Sequence, residues 1–245
     1  MTLKHASAGL AALAFVALGS AHAAPNLVTN GDFEQSSYTS NSQFGTQFGG
    51  QGVTGWTGNN GFNLYFIGGT ATTVGANTQY GSTGQQLYPS ATFAGTSPAG
   101  GNFVGLDGDL TPGAQSAISQ TVNGLTAGDQ YTLSFIWGAG QVQSRTGATT
   151  ESLQATLGSQ SFTTNVVSNP SQSFTGWFTS SFTYTATATS ELLSFLSIGT
   201  PQGLPPMAVL DGVSLTQNVP EPASLALLGA ALGAFGLLAR RRRSA

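Results

Sequence analysis

The sequence predicts an exported all-β protein whose folded part is a two-sheet β-sandwich. Short stretches of alternating apolar and polar residues recur along the chain, separated by turns rich in Gly, Asn and Asp. Between the two ends, no stretch has the regular spacing of an amphipathic helix. The chain also carries 15 Phe, 6 Tyr and 3 Trp, which is more aromatic residues than a disordered Gly-rich spacer holds. These observations favour two packed sheets over a helical fold or a disordered segment.

The N-terminus is typical of a secretory signal peptide. Lys4 precedes an apolar run at residues 6–21, and Ala21, His22 and Ala23 form the small-x-small pattern that signal peptidase cleaves. We expect residues 1–23 to be removed before Ala24. The mature chain is therefore predicted to be exported, with signal peptidase as a processing partner.

Residues 24–217 have the length of one all-β domain, which opens with a short predicted strand at residues 26–28. Residues 35–101 are interpreted as loops with short strands, and the alternation becomes regular from residue 102 onward. The most regular strand is predicted at residues 131–137. Because large apolar side chains on one face of a strand need a core to pack against, we expect one face of this strand to be buried. That face carries Tyr131, Leu133, Phe135 and Trp137.

Three more strands follow toward the end of the domain. Residues 153–157 alternate and return through Phe162 as a hairpin, whereas residues 192–198 are more uniformly apolar, as in a central strand. The last strand is predicted at residues 208–216. Strict alternation places four of its side chains on one face, namely Val209, Asp211, Val213 and Leu215.

Composition excludes several classes of function. Residues 24–217 contain eight acidic side chains and a single basic one, Arg145, which gives a formal charge of −7. A domain with one cation cannot neutralise many phosphates, so nucleic acid is not an expected partner. The chain has no Cys, and both His fall in the signal peptide, so this domain has no disulfide framework and no Ser-His, Cys-His or His-zinc site. No phosphate-binding loop is present either, and no organic cofactor is expected.

The C-terminal tail has three parts that together predict a membrane anchor. Residues 218–222 form a linker that contains a Pro-Glu-Pro motif, which cannot continue a strand or a helix. Residues 223–239 are 17 uncharged residues, and as a helix they would span roughly 25 Å, enough to cross a bilayer core. Residues 240–245 begin with four arginines, which the positive-inside rule places on the cytoplasmic side.

This order of motif, apolar helix and arginine cluster resembles the PEP-CTERM sorting signal of Gram-negative bacteria. The resemblance implies processing by a membrane enzyme called exosortase, and association with systems that produce exopolysaccharide in biofilms or flocs. It also implies transient anchoring in the inner membrane, followed by delivery to the cell surface or the extracellular matrix. The residues that carry the motif are Val219, Pro220, Glu221, Pro222, Arg240, Arg241, Arg242 and Arg243.

A second resemblance concerns the folded domain. The stretches NLVTNGDFE from Asn26, Gly55-Trp56, ISQTVNGLTAGDQYTLSF from Ile118 and VLDGVSL from Val209 are similar to the galactose-binding-like jelly roll of family 4/9 carbohydrate-binding modules. The resemblance implies a jelly-roll sandwich whose first and last strands lie near each other, often with a structural calcium ion. It further implies sugar binding through aromatic faces and polar side chains.

One structural calcium ion is predicted between the two ends of the domain. Asp211 points toward the core on strict alternation, and a buried carboxylate must be paired or bound to a metal. Arg145 is the only cation available, and Glu34 can supply a second carboxylate if the first and last strands meet. Asp32 is a weaker candidate. The alternative is that Gly212 introduces a bulge that turns Asp211 toward solvent.

Three classes of function remain open, and a non-catalytic binding protein is the preferred one. Aromatic rings could stack on sugar faces, and the candidates are Trp56, Tyr65 and Trp177, whereas Trp137 is expected to be core. Since Trp177 and Phe178 point to opposite sides of a strand, one of them should face solvent or a loop. A purely structural matrix protein without a defined ligand is the second class.

A glycoside hydrolase is the third class. Such an enzyme needs two carboxylates facing each other across a cleft, and the sequence offers Asp107 with Asp109, or Glu151 with Glu191. Asp-Gly-Asp is more typical of a turn or a calcium loop than of a catalytic pair. The chain is therefore not expected to be an enzyme.

Overall fold

The computed structural model describes residues 24–45, 52–73 and 85–218, together with Gly229. Residues 25–218 form one compact unit. The predicted signal peptide and the arginine cluster lie outside the described residues, and so does the predicted membrane helix apart from Gly229. Within the described residues, no helix has the length and apolar character needed to span a bilayer.

The described domain is an all-β sandwich of two sheets, which confirms the predicted fold class. The first sheet has the strand order β1-β3-β4-β12-β6-β10, and the second has the order β2-β5-β11-β7-β8, with β9 also paired to β7. Every strand pair is antiparallel. The strands are β1 (Ser42–Phe44), β2 (Thr57–Gly58), β3 (Asn63–Phe66), β4 (Phe103–Asp107), β5 (Ala117–Asn123), β6 (Gln130–Gly140), β7 (Thr149–Leu157), β8 (Gln160–Thr163), β9 (Val167–Asn169), β10 (Phe178–Thr185), β11 (Ser190–Thr200) and β12 (Met207–Gln217).

The main core fills the space between the two sheets. The four large side chains predicted to share one face of β6 are all buried there, at 1–2% exposure. Strands β7 and β8 form the predicted hairpin, and β11 lies between β5 and β7, as expected of a central strand. Regular alternation therefore predicted β6 and β7 correctly, because each has one face against the core. Strand β11 was predicted from its uniformly apolar sequence, but only one of its faces is buried, and Leu192 on the other face is 54% exposed.

The predicted face of β12 is wrong at one point. The pairing between β12 and β6 shifts register between Asp211 and Ser214, and Gly212 in this bulge has φ +59°. After the bulge, Val213 faces the main core, whereas Asp211 lies on the opposite side of the sheet. One extra residue in a strand reverses the alternation that follows it, which is why strict alternation failed here.

The predicted strand at residues 26–28 is not a ladder strand. The Asn26 side chain replaces part of the ladder, because its Oδ1 accepts hydrogen bonds from the backbone N–H groups of Leu215 and Val28 at 2.9 and 3.0 Å. The Leu27 N–H donates to the Leu215 carbonyl at 2.9 Å. The first segment and the last strand of the domain are therefore neighbours, as the jelly-roll resemblance implied.

A second apolar core covers the outer face of the first sheet. Residues 85–97 and 170–177 fold across this face and contribute Leu87, Phe93 and Phe174, with the rings of Phe93 and Phe174 stacked at 4.1 Å. Gly138 on β6 lets residues 170–177 approach the sheet closely, because a Cβ at this position would lie 2.5 Å from the Gly176 carbonyl oxygen. The part of the first sheet formed by β3, β4 and the adjoining ends of β6 and β12 is consequently buried on both faces.

Candidate functional site

A cleft of about 290 Å³ opens where several strand ends of the first sheet meet. It lies at the end of β4 and β6 and at the start of β3 and β12. This volume is at the lower end of the roughly 300–1,000 Å³ of typical small-molecule sites, so the cleft suits one or two small rings. Its lining residues are Gln43, Phe62, Asp107, Gly113, Ala114, Val142, Ser144, Arg145 and Pro205.

Asp107 forms the acidic part of the cleft. It is the last residue of β4 and is 2% exposed, with its Oδ1 accepting the Asp109 N–H at 2.8 Å. Burial raises the pKa of Asp107 to about 7, and the charge of Asp109 adds to the increase, whereas Arg145 lowers it. Asp107 therefore titrates close to neutral pH and can both accept and donate hydrogen bonds in that range.

Arg145 stands at the solvent side of the same cleft. It belongs to an exposed turn that is closed by the Arg145 N–H donating to the Val142 carbonyl at 3.0 Å. The guanidinium donates several hydrogen bonds in one plane, and Phe62 supplies an aromatic ring on the cleft wall. An arginine, a carboxyl and an aromatic ring together offer the groups that bind a polyhydroxylated ring: charged hydrogen-bond partners and an apolar face.

Neither carboxylate pair that the sequence offered for hydrolysis flanks the cleft, which Asp107 lines without Asp109. Asp109 is held in a turn, where Thr111 donates to its Oδ1 and the Gly203 N–H to its Oδ2 at 2.6 Å. Burial raises the pKa of Asp109, but these hydrogen bonds lower it more, so it lies below its ordinary value. Glu151 and Glu191 stand at opposite ends of the second sheet, about 25 Å apart at roughly 3.3 Å per strand residue.

Asp107 and Glu151 are two further carboxylates whose charges interact. Burial raises the pKa of Glu151 well above its ordinary value, and the nearby charge of Asp107 raises it further. Glu151 has no exposed surface, so it cannot contact a substrate in the cleft. This pair does not have the arrangement of a hydrolase, in which both carboxylates reach the bond to be cleaved.

Two of the three aromatic candidates are in the main core. Trp56 has no exposed surface, and its Nε1 donates to the Asn30 carbonyl at 3.0 Å. Tyr65 is 1% exposed, and its hydroxyl donates to the Phe33 carbonyl at 2.9 Å. Because neither ring presents a face to solvent, neither can stack on a sugar, and the sequence interpretation of both as ligand residues does not fit the structure.

Trp177 belongs to the second core rather than to the cleft. Its ring lies 5.4 Å from Phe103 and 5.6 Å from Phe174, and only part of it is exposed. Phe178 is the more exposed of the two adjacent rings, at 38%, and it covers Trp137, which is core as predicted. None of the three aromatic candidates lines the Asp107 cleft.

The residues predicted to hold calcium do lie near each other. Asp211 has no exposed surface; its Oδ1 accepts the Gly212 N–H at 2.6 Å, and its Oδ2 lacks a hydrogen bond of normal geometry, although Ser97 is close enough to lower its pKa. Burial raises this pKa to about 7, and the charges of Glu34 and Asp32 add to the increase. The bulge at Gly212 is present, but it does not turn Asp211 to solvent.

Glu34 is exposed, and both its oxygens accept hydrogen bonds from Asn102, each at 2.8 Å. A carboxylate oxygen has a second lone pair, so these bonds leave room for a cation. A buried oxygen without a partner, close to two further carboxylates, fits a hard cation. Calcium binding by Glu34 and Asp211 stays a prediction.

The cleft itself was not predicted from the sequence, although two of its residues had been singled out. Arg145 was noted as the only cation of residues 24–217, and Asp107 as part of a polar turn. Their proximity depends on pairings between β3, β4, β12 and β6, which join residues far apart in the chain. The one available signal was the isolated cation itself, since a single arginine in an acidic domain has few roles.

Comparison with known proteins places the chain in a class and then in a family. The class is that of exported proteins with a sorting tail, because a PEP-CTERM protein-sorting motif matches residues 218–243 and confirms the predicted motif. Residues 73–215 match the family described as protein of unknown function (DUF642), and the chain belongs to that family. No curated protein matches the sequence.

Several solved structures are similar in fold at low sequence identity. The module TmCBM61 in complex with β-1,4-galactotriose is 13% identical, with 79% of this chain and 99% of that chain covered and a TM-score of 0.41. A CBM4 structure is 16% identical, with 78% and 99% covered and a TM-score of 0.37. The CBM22-1 xylan-binding domain from Paenibacillus barcinonensis Xyn10C is 10% identical, with 81% and 97% covered and a TM-score of 0.36. These three neighbours are carbohydrate-binding modules.

Proposed function

We propose that this protein is an exported, non-catalytic surface or matrix protein that binds exopolysaccharide through the Asp107 cleft. In this proposal, exosortase processes the sorting tail, and the released domain joins the extracellular matrix of a biofilm or floc. The observation that carries the binding role is the position of Arg145. The only cation of residues 24–217 lines a cleft together with a buried carboxyl and an aromatic ring.

The composition of the cleft supports a neutral or acidic sugar as ligand. Arg145 can donate two hydrogen bonds to adjacent hydroxyls or to a carboxylate, and Asp107 can accept or donate one at neutral pH. The Phe62 ring and Val142 supply apolar surface for the C–H face of a sugar ring. Because the domain is otherwise acidic, Arg145 is its single point of attraction for an acidic polysaccharide.

A test measures glycan binding by the full chain solubilised in detergent, first on a glycan array and then by calorimetry with the purified polysaccharide. We expect Arg145→Ala to weaken binding at least tenfold, because a hydrogen bond to a charged group contributes about 1.5–3 kcal/mol. Its melting temperature should be unchanged, since Arg145 is exposed. Arg145→Lys should weaken binding less, because the charge is kept and the planar fork is lost.

Thr183→Ala is the matched control, because Thr183 is exposed on β10 and does not line the cleft. Binding that persists unchanged in Arg145→Ala would place the glycan site elsewhere. The absence of binding to any glycan would favour a purely structural matrix protein. Release of reducing sugar from the polysaccharide would favour a carboxylate-dependent glycoside hydrolase.

A further inference from the structure

Glu151 is a buried carboxylate whose charge has no protein partner of good geometry. It lies near the start of β7 on the face that also carries Leu153 and Ala155 in the main core. Its side chain has no exposed surface, and neither Oε1 nor Oε2 makes a hydrogen bond of normal geometry. Leaving a carboxylate charged and alone in this position costs several kcal/mol, so it must take up a proton or a cation.

No protein cation is available to Glu151. Arg145 is the only basic residue of residues 24–217, and it is exposed beside the cleft, where its charge acts on Asp107. The Thr149 hydroxyl and the Met207 N–H lie close enough to Glu151 to lower its pKa somewhat. They do not offset its burial, and the remaining neighbours are neutral or acidic.

Other buried oxygens without partners surround Glu151. Thr149 precedes it by two residues on the same face, Asn169 is paired opposite Thr149, and Ser197 is diagonal to Glu151 across the β7–β11 ladder. Cross-strand neighbours on one face lie about 4.5–5.5 Å apart and diagonal ones about 7–8 Å. Thr149 Oγ1, Asn169 Oδ1 and Ser197 Oγ are all buried and make no hydrogen bond.

The charge of Asp107 acts on Glu151 from the other sheet. Asp107 is paired with Met207, whose N–H lies near the Glu151 carboxylate. Its side chain lines the cleft on the face of the first sheet that carries Met207 and the second core, so it does not point into the space between the sheets. Because the two negative charges repel, a cation bound beside Glu151 would offset that repulsion.

We propose a divalent cation site between the sheets, held by Glu151 together with the Thr149 hydroxyl and the neighbouring oxygens of Asn169 and Ser197. The ligands are oxygens only, since the domain has neither His nor Cys, which favours calcium over zinc. No group of three or more His, Cys, Asp or Glu is positioned to hold a metal among the described residues, so one carboxylate and neutral oxygens make up this set. The site is separate from the one predicted at Glu34 and Asp211, and it does not depend on sugar binding.

The test counts calcium ions bound to the metal-stripped full chain in detergent, by equilibrium dialysis and calorimetry with calcium alone. We expect Glu151→Gln to bind one calcium ion fewer than the wild type. In chelator, the same variant should melt at an equal or higher temperature than the wild type, because it removes an uncompensated buried charge. Thr149→Val, which removes a single ligand oxygen at nearly constant shape, should raise the dissociation constant about tenfold.

Glu191→Gln is the matched control. Glu191 is also buried in the second sheet, at 7% exposure, but its Oε1 accepts hydrogen bonds from Thr187 and Ala188. This variant should lower the melting temperature and leave the number of bound calcium ions unchanged. If Glu151→Gln and Thr149→Val bind calcium with the stoichiometry and affinity of the wild type, the site is overturned.

Discussion

At the scale of single residues, three buried carboxylates define the chemistry of this domain. Asp107 and Glu151 lie at one end of the sandwich, and Asp211 lies beneath the loop that contains Ser97. The sequence predicted that Asp211 is buried, but the reason was only partly right, because Val213 and Leu215 face the main core and Asp211 lies on the other side of the sheet. The sequence could not show that the charge of Asp107 acts on Glu151, since the two residues are on different sheets and no local pattern links them.

We predict that the metal-free protein loses stability as the pH rises from about 4 to about 7. Asp107 and Asp211 have folded-state pKa values of about 7, above an ordinary value near 4. The folded state therefore keeps protons that the unfolded state releases. Each group destabilises the fold progressively over this range, up to about 4 kcal/mol for a shift of three pKa units, and the loss levels off above pH 7.

The measurement is the free energy of unfolding in chelator at several pH values, for the wild type and for Asp107→Asn. The asparagine keeps the oxygen that accepts the Asp109 N–H and removes the charge. The variant should gain stability relative to the wild type as the pH rises. A difference between the two proteins that stays constant from pH 4 to pH 7 would contradict the prediction.

Calcium binding between the two ends of the domain is a second prediction at this scale. Calcium at a hundredfold excess over its dissociation constant should add about 2.7 kcal/mol to stability, because it binds only the folded state. Glu34→Gln and Asp211→Asn should each remove that gain. Melting curves recorded with calcium and with chelator measure it, in a Glu151→Gln background so that the other proposed ion does not contribute. A gain that survives both substitutions would show that these residues do not hold the ion.

At the scale of elements, the strands were predicted well where one face met the core and poorly where a glycine or a loop intervened. Strands β6, β7 and β11 follow simple alternation. The bulge at Gly212 reversed the alternation of β12, and Asn26 replaced a ladder with side-chain hydrogen bonds. The second core could not be predicted, because its apolar residues are spread through loops that pack on the sheet only after it has formed.

The glycines beneath the second core should be sensitive to added volume. A Cβ at Gly138 would lie 2.5 Å from a backbone carbonyl oxygen, whereas one at Gly140 would lie 3.3 Å from the flexible edge of the Phe174 ring. We expect Gly138→Ala to lower the free energy of unfolding by about 1–3 kcal/mol, the usual cost of overpacking. Denaturant unfolding measures this, with Gly140→Ala as the milder control. Equal effects of the two substitutions would show that residues 170–177 shift freely.

At the scale of the whole molecule, the basic residues lie mostly in the two predicted targeting segments, and the acidic residues lie mostly in the folded domain. Five of the six basic residues lie outside residues 24–217, one in the predicted signal peptide and four in the tail. The folded domain is left acidic, with one arginine, and this distribution was readable from the sequence alone. Composition leaves residues 24–217 without histidine or cysteine and predicts that nucleic acid is not a partner, but the identity of a ligand depends on which side chains the fold brings together.

We predict that the sorting motif is needed for processing of the tail but not for export. Replacing Pro220, Glu221 and Pro222 together by alanine should leave export intact, because the signal peptide is unchanged, while release from the membrane is blocked. Fractionation and mass analysis of the secreted protein measure this outcome. Ser244→Ala, which lies beyond the motif residues, is the control and should still be released. A triple variant of the motif that reaches the medium at the mature mass would disprove the sorting role.

Because residues 85–97 and 170–177 cover the outer face of the first sheet over β3, β4 and the adjoining ends of β6 and β12, the sheet beside the Arg145 cleft has no open shelf on which a long polymer could lie lengthwise. A glycan held beside Arg145 would have to enter by its tip or by a side branch, and the units behind the first one or two would remain in solvent. Affinity for a series of oligosaccharides should then stop increasing after about two sugar units. Such a protein would attach to the chain ends and branch points of the matrix polysaccharide. The amount of protein bound would then scale with the number of those points rather than with total polymer mass.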